Sequence, residues 1–296
     1  MLDYKLIEAL AMVAQEGGFD KASQTLFLTQ SAVSQRVKSL EEQTGQILIA
    51  RTTPPRPTAA GRSLLKHYLQ VKHLEDDLFG ELGRQIEKKH TSIALAINAD
   101  SLATWFLEAI QSFVQQEGIL LDLRVDDQEQ THRLLKEGDV VGCISTKDKP
   151  LQGCRVEYIG KMAYQMMAAP DYARKWFPNG LTLADAAYAP AIIFNRKDEL
   201  HQKLFQQALG RIPESIPASY IPSSERFADF IAMGLGYGML PYQQSEPFTK
   251  TGRLINMAPG YDVPVRLYWH CWNLKSKLLD TFTQNLKARV RPLLDI

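Results

Sequence analysis

The run FDKASQTLFLTQSAVSQRVKSLEEQTG, from Phe19 to Gly45, decides how this chain begins. Two short helices read from it. The first, over about residues 20–26, buries Ala22 and Leu26. Thr29 is placed to cap the second, which runs to about Thr44, where Gly45 supplies the stop. On that second helix Val33, Val37 and Leu40 fall within an arc of roughly 60° and must face a core. The opposite face carries Ser31, Ser34, Gln35 and Lys38, with Gln30 at the exposed first turn. Short donors and acceptors there reach base edges, while Lys38 and the helix N-terminus suit phosphate. Two short helices a few residues apart, the second polar on its outer face, form the helix-turn-helix pattern.

Outward from this run the pattern continues on both sides. Leu6, Leu10, Val13 and Ala14 share one helical face, and Gly17–Gly18 ends that helix. Downstream, Ile47–Ala50 reads as a short strand, followed by Arg51-Thr-Thr-Pro-Pro-Arg-Pro57. Its three prolines forbid helix and hold an extended loop, a wing whose Arg51 and Arg56 can enter a minor groove or grip the backbone. Thr58 then caps a long helix from Ala59 to about Ile86. Leu64, Tyr68, Val71, Leu78 and Leu82 follow 3–4 spacing along it, with Leu65 and Leu74 widening the stripe and Glu75 interrupting it. One helix cannot bury such a stripe on itself, so a partner helix is expected, the alternative being that it packs on its own C-terminal domain.

Charge follows the same division. The chain of 296 residues has a formal net charge of only +1. Residues 18–73, however, hold eight basic groups against three acids, and residues 74–90 turn acidic. A local positive patch of this kind faces phosphates. From about Ser92 strands and helices alternate in two sets of similar size, which predicts two parallel-sheet lobes with a cleft between them. Val265–Trp269 and Lys275–Leu294 return to the first lobe and make a second crossover. The expected division is 1–58 for the winged helix-turn-helix and 59–90 for the linker helix. The sensing unit takes 91–296, with one lobe at about 91–161 plus 265–296 and the other at about 162–264.

Other classes are disfavoured. No P-loop, GxGxxG or HExxH motif is present, and the six histidines show no ligand spacing, so no catalytic, metal or cofactor site is expected. Cys143, Cys154 and Cys271 form no CxxC pair and read as free thiols. The start MLDYKLIEAL lacks the parts of a signal peptide, and no apolar run has membrane length. A cytoplasmic, nucleoid-associated protein without membrane contact is expected.

At this point the residues carry a resemblance. Phe19–Leu26, Leu28-Thr-Gln-Ser-Ala-Val-Ser-Gln35, Leu40-Glu41 and Thr58-Ala-Ala-Gly61 resemble the winged helix of LysR-type transcriptional regulators. Asn98-Ala-Asp-Ser-Leu-Ala-Thr-Trp105, Pro54-Pro-Arg-Pro57, Phe177-Pro-Asn-Gly180, Ser223-Ser-Glu225 and Leu267-Tyr-Trp-His270 are similar to the subgroup of ArgP, LysG and IciA. The resemblance implies promoter DNA and RNA polymerase as partners and a homodimer or dimer of dimers. It also implies control of arginine or lysine metabolism or export. Gln30, Ser31 and Ser34 match family positions that contact DNA; Ser31 stands where proline is common. Thr29, Gln35, Lys38, Arg51 and Arg56 complete the expected DNA-binding set.

Ligands of open parallel sheets bind outside the carboxyl ends of strands, at helix N-termini. That rule selects Asn98, Asp100 and Ser101, then Asp126 and Asp127, then Ser145 and Thr146. In the second lobe it selects Asn195, Ser223 and Ser224. Hydroxyls at helix starts would hold an α-carboxylate, and Asp127 or Asp100 would pair with a side-chain cation. With the resemblance, L-lysine or L-arginine is the expected effector; the alternative is a cytoplasmic two-lobed binding protein for a different small molecule. Trp269 and His270 are expected to pack in the core or line the hinge.

Overall fold

A computed structural model describes residues 2–82, 92–125 and 128–295. The N-terminal unit is built from α1 (Tyr4–Glu16), α2 (Phe19–Thr25), α3 (Gln30–Thr44), a two-strand wing of β1 (Ile49–Ala50) and β2 (Arg56–Pro57), and α4 (Ala59–Glu81). Gly17 and Gly45 end α1 and α3 at φ 71° and 67°, the left-handed conformation that spares glycine a Cβ clash. Ile7, Leu10, Val33, Val37, Leu40 and Leu48 close one small core, as the helical periodicity requires.

The α4 stripe is shared out. Leu64, Leu65 and Tyr68 pack on the N-terminal core, and Leu69 packs on the core of the C-terminal unit. Arg62 pairs with Glu137 at 3.6 Å, and Asp77 accepts the Lys277 N–H at 3.0 Å. Leu74, Leu78 and Leu82 remain 40%, 51% and 67% exposed, so no described part of this chain covers that end of the stripe. The expected continuation to Ile86 lies outside the described residues.

The first lobe runs through β3 (Ser92–Ile97), α5 (Ala99–Ala103), α6 (Phe106–Glu117), β4 (Leu120–Val125), α7 (Gln128–Glu137), β5 (Gly142–Ser145) and β6 (Cys154–Ala168). The second holds α8 (Pro170–Trp176), α9 (Leu183–Ala186), β7 (Ala191–Ile193), α10 (Leu200–Leu209), β8 (Ala218–Tyr220), α11 (Ser224–Ala232), β9 (Tyr237–Pro241), α12 (Tyr242–Lys250) and β10 (Ile255–Asn256). β11 (Val263–Trp272) and α13 (Lys277–Val290) close the chain's return.

Two expectations need correction. The sequence pattern over Ser101–Gln116 predicts one helix, whereas the structure has two, broken at Thr104 and Trp105. The Trp105 indole, 1% exposed and edge-on to Phe106, is drawn into the core there. The lobes are also not purely parallel. β4-β3-β5 and β8-β7-β9 are parallel sets, but β6 and β11 lie between them, antiparallel to each other and to β9 and β5, in one mixed sheet. The crossovers are therefore hydrogen-bonded strands. β6 is long enough to serve both lobes, with a register shift in its ladder at Leu267/Tyr268.

Candidate functional site

Two sites emerge, one in each unit. At the first, the Thr29 hydroxyl accepts the Ala32 N–H (3.2 Å) and lies 3.0 Å from the Ser31 hydroxyl. Thr29, Gln30, Ser31, Ser34, Gln35 and Lys38 are all exposed along α3, opposite its buried face. Arg51 and Arg56 are exposed on the wing. A groove of about 880 Å³ between helix and wing brings together Gln30, Ser34, Lys38 and Arg51, with Thr52 and Pro55 on its wall. Thr29, Ser31, Gln35 and Arg56 lie outside that concavity. Lys38 faces Glu42 at 3.7 Å, an exposed pair of little stability that a phosphate would readily displace.

The wing is held in place by contacts that, apart from the Thr58 cap, are not legible in the sequence. Glu41 Oε1 accepts both the Leu48 and Ile49 N–H groups, at 2.8 and 3.3 Å, and so fixes the first wing strand to α3. The Thr58 hydroxyl donates to the Ile47 carbonyl (2.7 Å) and accepts from the Gly61 N–H (3.1 Å). Gly61 lies so close that a Cβ built there would fall 2.1 Å from the Leu48 carbonyl oxygen. Glycine is what allows α4 to rest against the wing.

The second site is a cleft of about 990 Å³ between the lobes. The ends of β3, β4 and β5 contribute Asn98 and Asp100, Val125, and Thr146. The other lobe contributes Phe194, Asn195, Asp198 and Pro222, while Tyr164 of β6 and Val263–Arg266 of β11 form the floor. This is the carboxyl edge of both parallel sets.

Asp100 does not stand open there. Its carboxylate accepts from the Tyr164 hydroxyl at 2.5 Å and from the Ser224 hydroxyl, so one acid ties the first lobe to α11 of the second. Burial raises Asp100 above the ordinary carboxylate range, and those two hydroxyls pull it part of the way back. Asp198 is raised too, mainly by burial, against the Leu200 and Phe194 amides.

Other expected residues are placed differently. Ser101 and Ser145 are buried and do not line the cleft; Ser101 lies 4.0 Å from the Met162 sulfur, and Ser145 accepts the Lys147 N–H at 3.2 Å. Ser223 caps α11 by position without a side-chain bond, and Ser224 faces Asp100. Asn195 lines the cleft while accepting the Lys197 N–H at 2.8 Å. Asp126 and Asp127 lie outside the described residues. Asp198 stands just past Asn195 in the same strand-to-helix connection, so the carboxyl-end rule could have found it had it been carried three residues further.

Trp269 and His270 are fully buried. The indole donates to Thr283 at 3.0 Å, and the His270 ring bonds the Lys147 carbonyl at 2.7 Å. His270 also meets His132 of α7 edge-on at 4.5 Å. Burial, then the neighbouring His270 and Lys147, lower His132 to about 4, so the pair is neutral near pH 7 and anchors the loop after β5. Cys143, Cys154 and Cys271 are free thiols. Among the described residues no group of three or more metal-ligating side chains is gathered, and no helix is long and apolar enough to cross a membrane.

Comparison with known proteins spans both units. Residues 4–62 match the family described as bacterial regulatory helix-turn-helix protein, lysR family, and residues 87–291 match the LysR substrate binding domain. The transcriptional regulator ArgP of Pseudomonas aeruginosa is 41% identical over 290 residues, 98% of this chain and 96% of that protein. ArgP of Aeromonas salmonicida is 39% identical over 98% of this chain and 97% of its own length. Among solved structures, ArgP from Mycobacterium tuberculosis superposes with a TM-score of 0.89 at 37% identity, covering 100% of this chain and 99% of that one. Full-length LysG from Corynebacterium glutamicum with bound effector Arg gives 0.79 at 31% identity, covering 100% of both chains.

Proposed function

From the premise that the chain belongs to the LysR family of DNA-binding transcriptional regulators, we propose that it responds to a basic amino acid, L-lysine or L-arginine. On this reading it controls genes of arginine or lysine metabolism or export. The observation that carries the DNA half is the groove uniting Gln30, Ser34 and Lys38 of α3 with Arg51 of the wing, base-reading groups beside phosphate-gripping ones. The effector half is supported by the cleft drawn from both lobes, whose lining presents acids (Asp100, Asp198, Glu199) and bases (Lys197, Lys203, Arg266) as a charged amino acid requires, and by the arginine named as effector of the related LysG. A ligand held from both lobes would set their relative angle; coupling of that kind is typically worth about 1–3 kcal/mol. The working divisions are 1–58, 59–90 and 91–296, and the protein acts in the cytoplasm on nucleoid DNA, with RNA polymerase at its promoters.

Two measurements test this together. A gel shift with DNA from upstream of candidate target genes should give a retarded band. Calorimetric titration should show L-lysine or L-arginine binding, with an affinity that changes when operator DNA is present. No shift with any such DNA would remove the regulatory reading, and a shift without binding of either amino acid would leave a regulator of another effector.

We also assign the exposed end of α4 to a homodimer, extended to a dimer of dimers through the sensing units. Leu78→Asp places an unpaired charge in that seam, which is costly only if a partner helix buries it. Sedimentation should then show weaker self-association and the DNA footprint should shorten; the same holds for the half-buried Val71→Asp. An oligomer indifferent to Leu78→Asp would remove the seam from the interface.

A further inference from the structure

Resting on the effector reading above, we infer that Asp198, with the Asn98 side-chain carbonyl oxygen opposite it, is the pole of the cleft that recognises the side-chain cation of the basic amino acid. Three observations lead there. Asp100, with Asp127 one of the two acids the sequence pointed to and the one among the described residues, has its carboxylate engaged by the Tyr164 and Ser224 hydroxyls; it serves as a tie between the lobes. A ligand cation taking Asp100 would first have to break that tie.

Among the described residues, Asp198 is the other acid on the cleft wall with a carboxylate raised by burial. Its carboxylate accepts the Leu200 N–H at 2.9 Å and is also stabilised by the Phe194 amide, neutral donors that bring no opposite charge. The lysine that lowers it, Lys203, lies on the rim of the same cleft, is exposed and pairs with Glu199 at 3.6 Å. A half-buried carboxylate in that position favours a guanidinium or ammonium supplied from the cleft.

The third observation lies across the cleft. Asn98 Oδ1 is buried, lacks a hydrogen-bond partner, and belongs to a residue lining the same cavity. A buried acceptor left unpaired costs free energy that an N–H donor from a ligand recovers. Asn98 belongs to the first lobe and Asp198 to the second. A multidentate guanidinium, or the three-donor ammonium of lysine, satisfies both at once. The pole thereby spans the closure of the two lobes, and its preference is for charge at the tip of the side chain.

Arginine and citrulline separate charge from shape, because citrulline replaces the guanidinium by a neutral urea of nearly the same outline. In calorimetric titration of the full chain, the parent should bind arginine at least about tenfold more tightly than citrulline, as expected for a charge-assisted hydrogen bond over a neutral one. Asp198→Asn keeps the acceptor for the Leu200 amide and removes the charge. It should bring the two ligands to within about threefold of each other, chiefly by weakening arginine. Asn98→Ala should weaken arginine without abolishing the preference. Retention of the parent's arginine-to-citrulline ratio in Asp198→Asn would overturn the assignment while leaving the effector reading intact. Equal loss of both ligands by a variant that melts like the parent would overturn it too, since charge would not be what Asp198 reads. A parent that binds neither arginine nor lysine removes the effector reading itself, and this inference with it.

Discussion

Gly61→Ala is expected to lower the melting temperature of the N-terminal unit by at least about 10 °C and to abolish tight operator binding together. The added Cβ would lie 2.1 Å from the Leu48 carbonyl oxygen and 3.4 Å from the Pro57 Cβ. Backbone cannot rotate aside as a side chain can, so either α4 lifts or the wing strand shifts. Overpacking of this kind costs about 1–3 kcal/mol, and the upper end applies where the obstacle is main chain. The shift would also break the Gly61–Thr58 bond and disturb the Leu48 amide held by Glu41. Arg51 would then lose its position beside α3. Effector binding in the C-terminal unit should survive, which separates this defect from general unfolding. Circular dichroism melting and a gel shift check both halves; a variant that melts and shifts like the parent would mean α4 has room to move at no cost.

Gln30→Ala combined with Ser34→Ala should cut specific operator affinity by roughly 1–3 kcal/mol for each hydrogen-bonded base pair no longer read, with the melting temperature nearly unchanged. Both side chains are exposed, and neither belongs to the Val33, Val37 and Leu40 face that closes the core. Lys38→Ala serves as the contrasting variant. Removing a phosphate-neutralising charge should weaken binding to all sequences alike and make the salt dependence shallower by about one counterion. Fluorescence anisotropy on operator and scrambled DNA at several salt concentrations distinguishes the two patterns. Full operator affinity in the Gln30→Ala/Ser34→Ala variant would show that α3 is not the reader.

The DNA-reading half was legible because its signals are local. Thr29 caps α3, Gly17 and Gly45 end helices, and the 3.6-residue period of Val33, Val37 and Leu40 decides which face is left for Gln30, Ser34 and Lys38. Each of these depends on neighbours within about one or two turns. The role of Glu41 was not legible, because its partners are amides seven and eight residues away on a strand whose position depends on the fold.

By itself, then, the sequence determined the helix-turn-helix, the wing, the polar outer face of α3, the long amphipathic helix and a cleft at the carboxyl ends of two strand sets. Only the tertiary structure decided which cleft residues face the cavity and which face one another. Ser145, the last residue of β5, is buried while the next residue, Thr146, lines the cleft, because one step along a strand reverses the side chain's direction; Ser101 is buried while Asp100 lines the cleft, because one step along a helix turns the side chain by about 100°. Asp100 meets Ser224 across 124 positions of sequence. No local pattern records such a pairing; it exists because β6 and β11 run through both lobes and bring their edges together. That same convergence leaves Asp198 and Asn98 facing one cavity from opposite lobes, a juxtaposition set by the sheet's order.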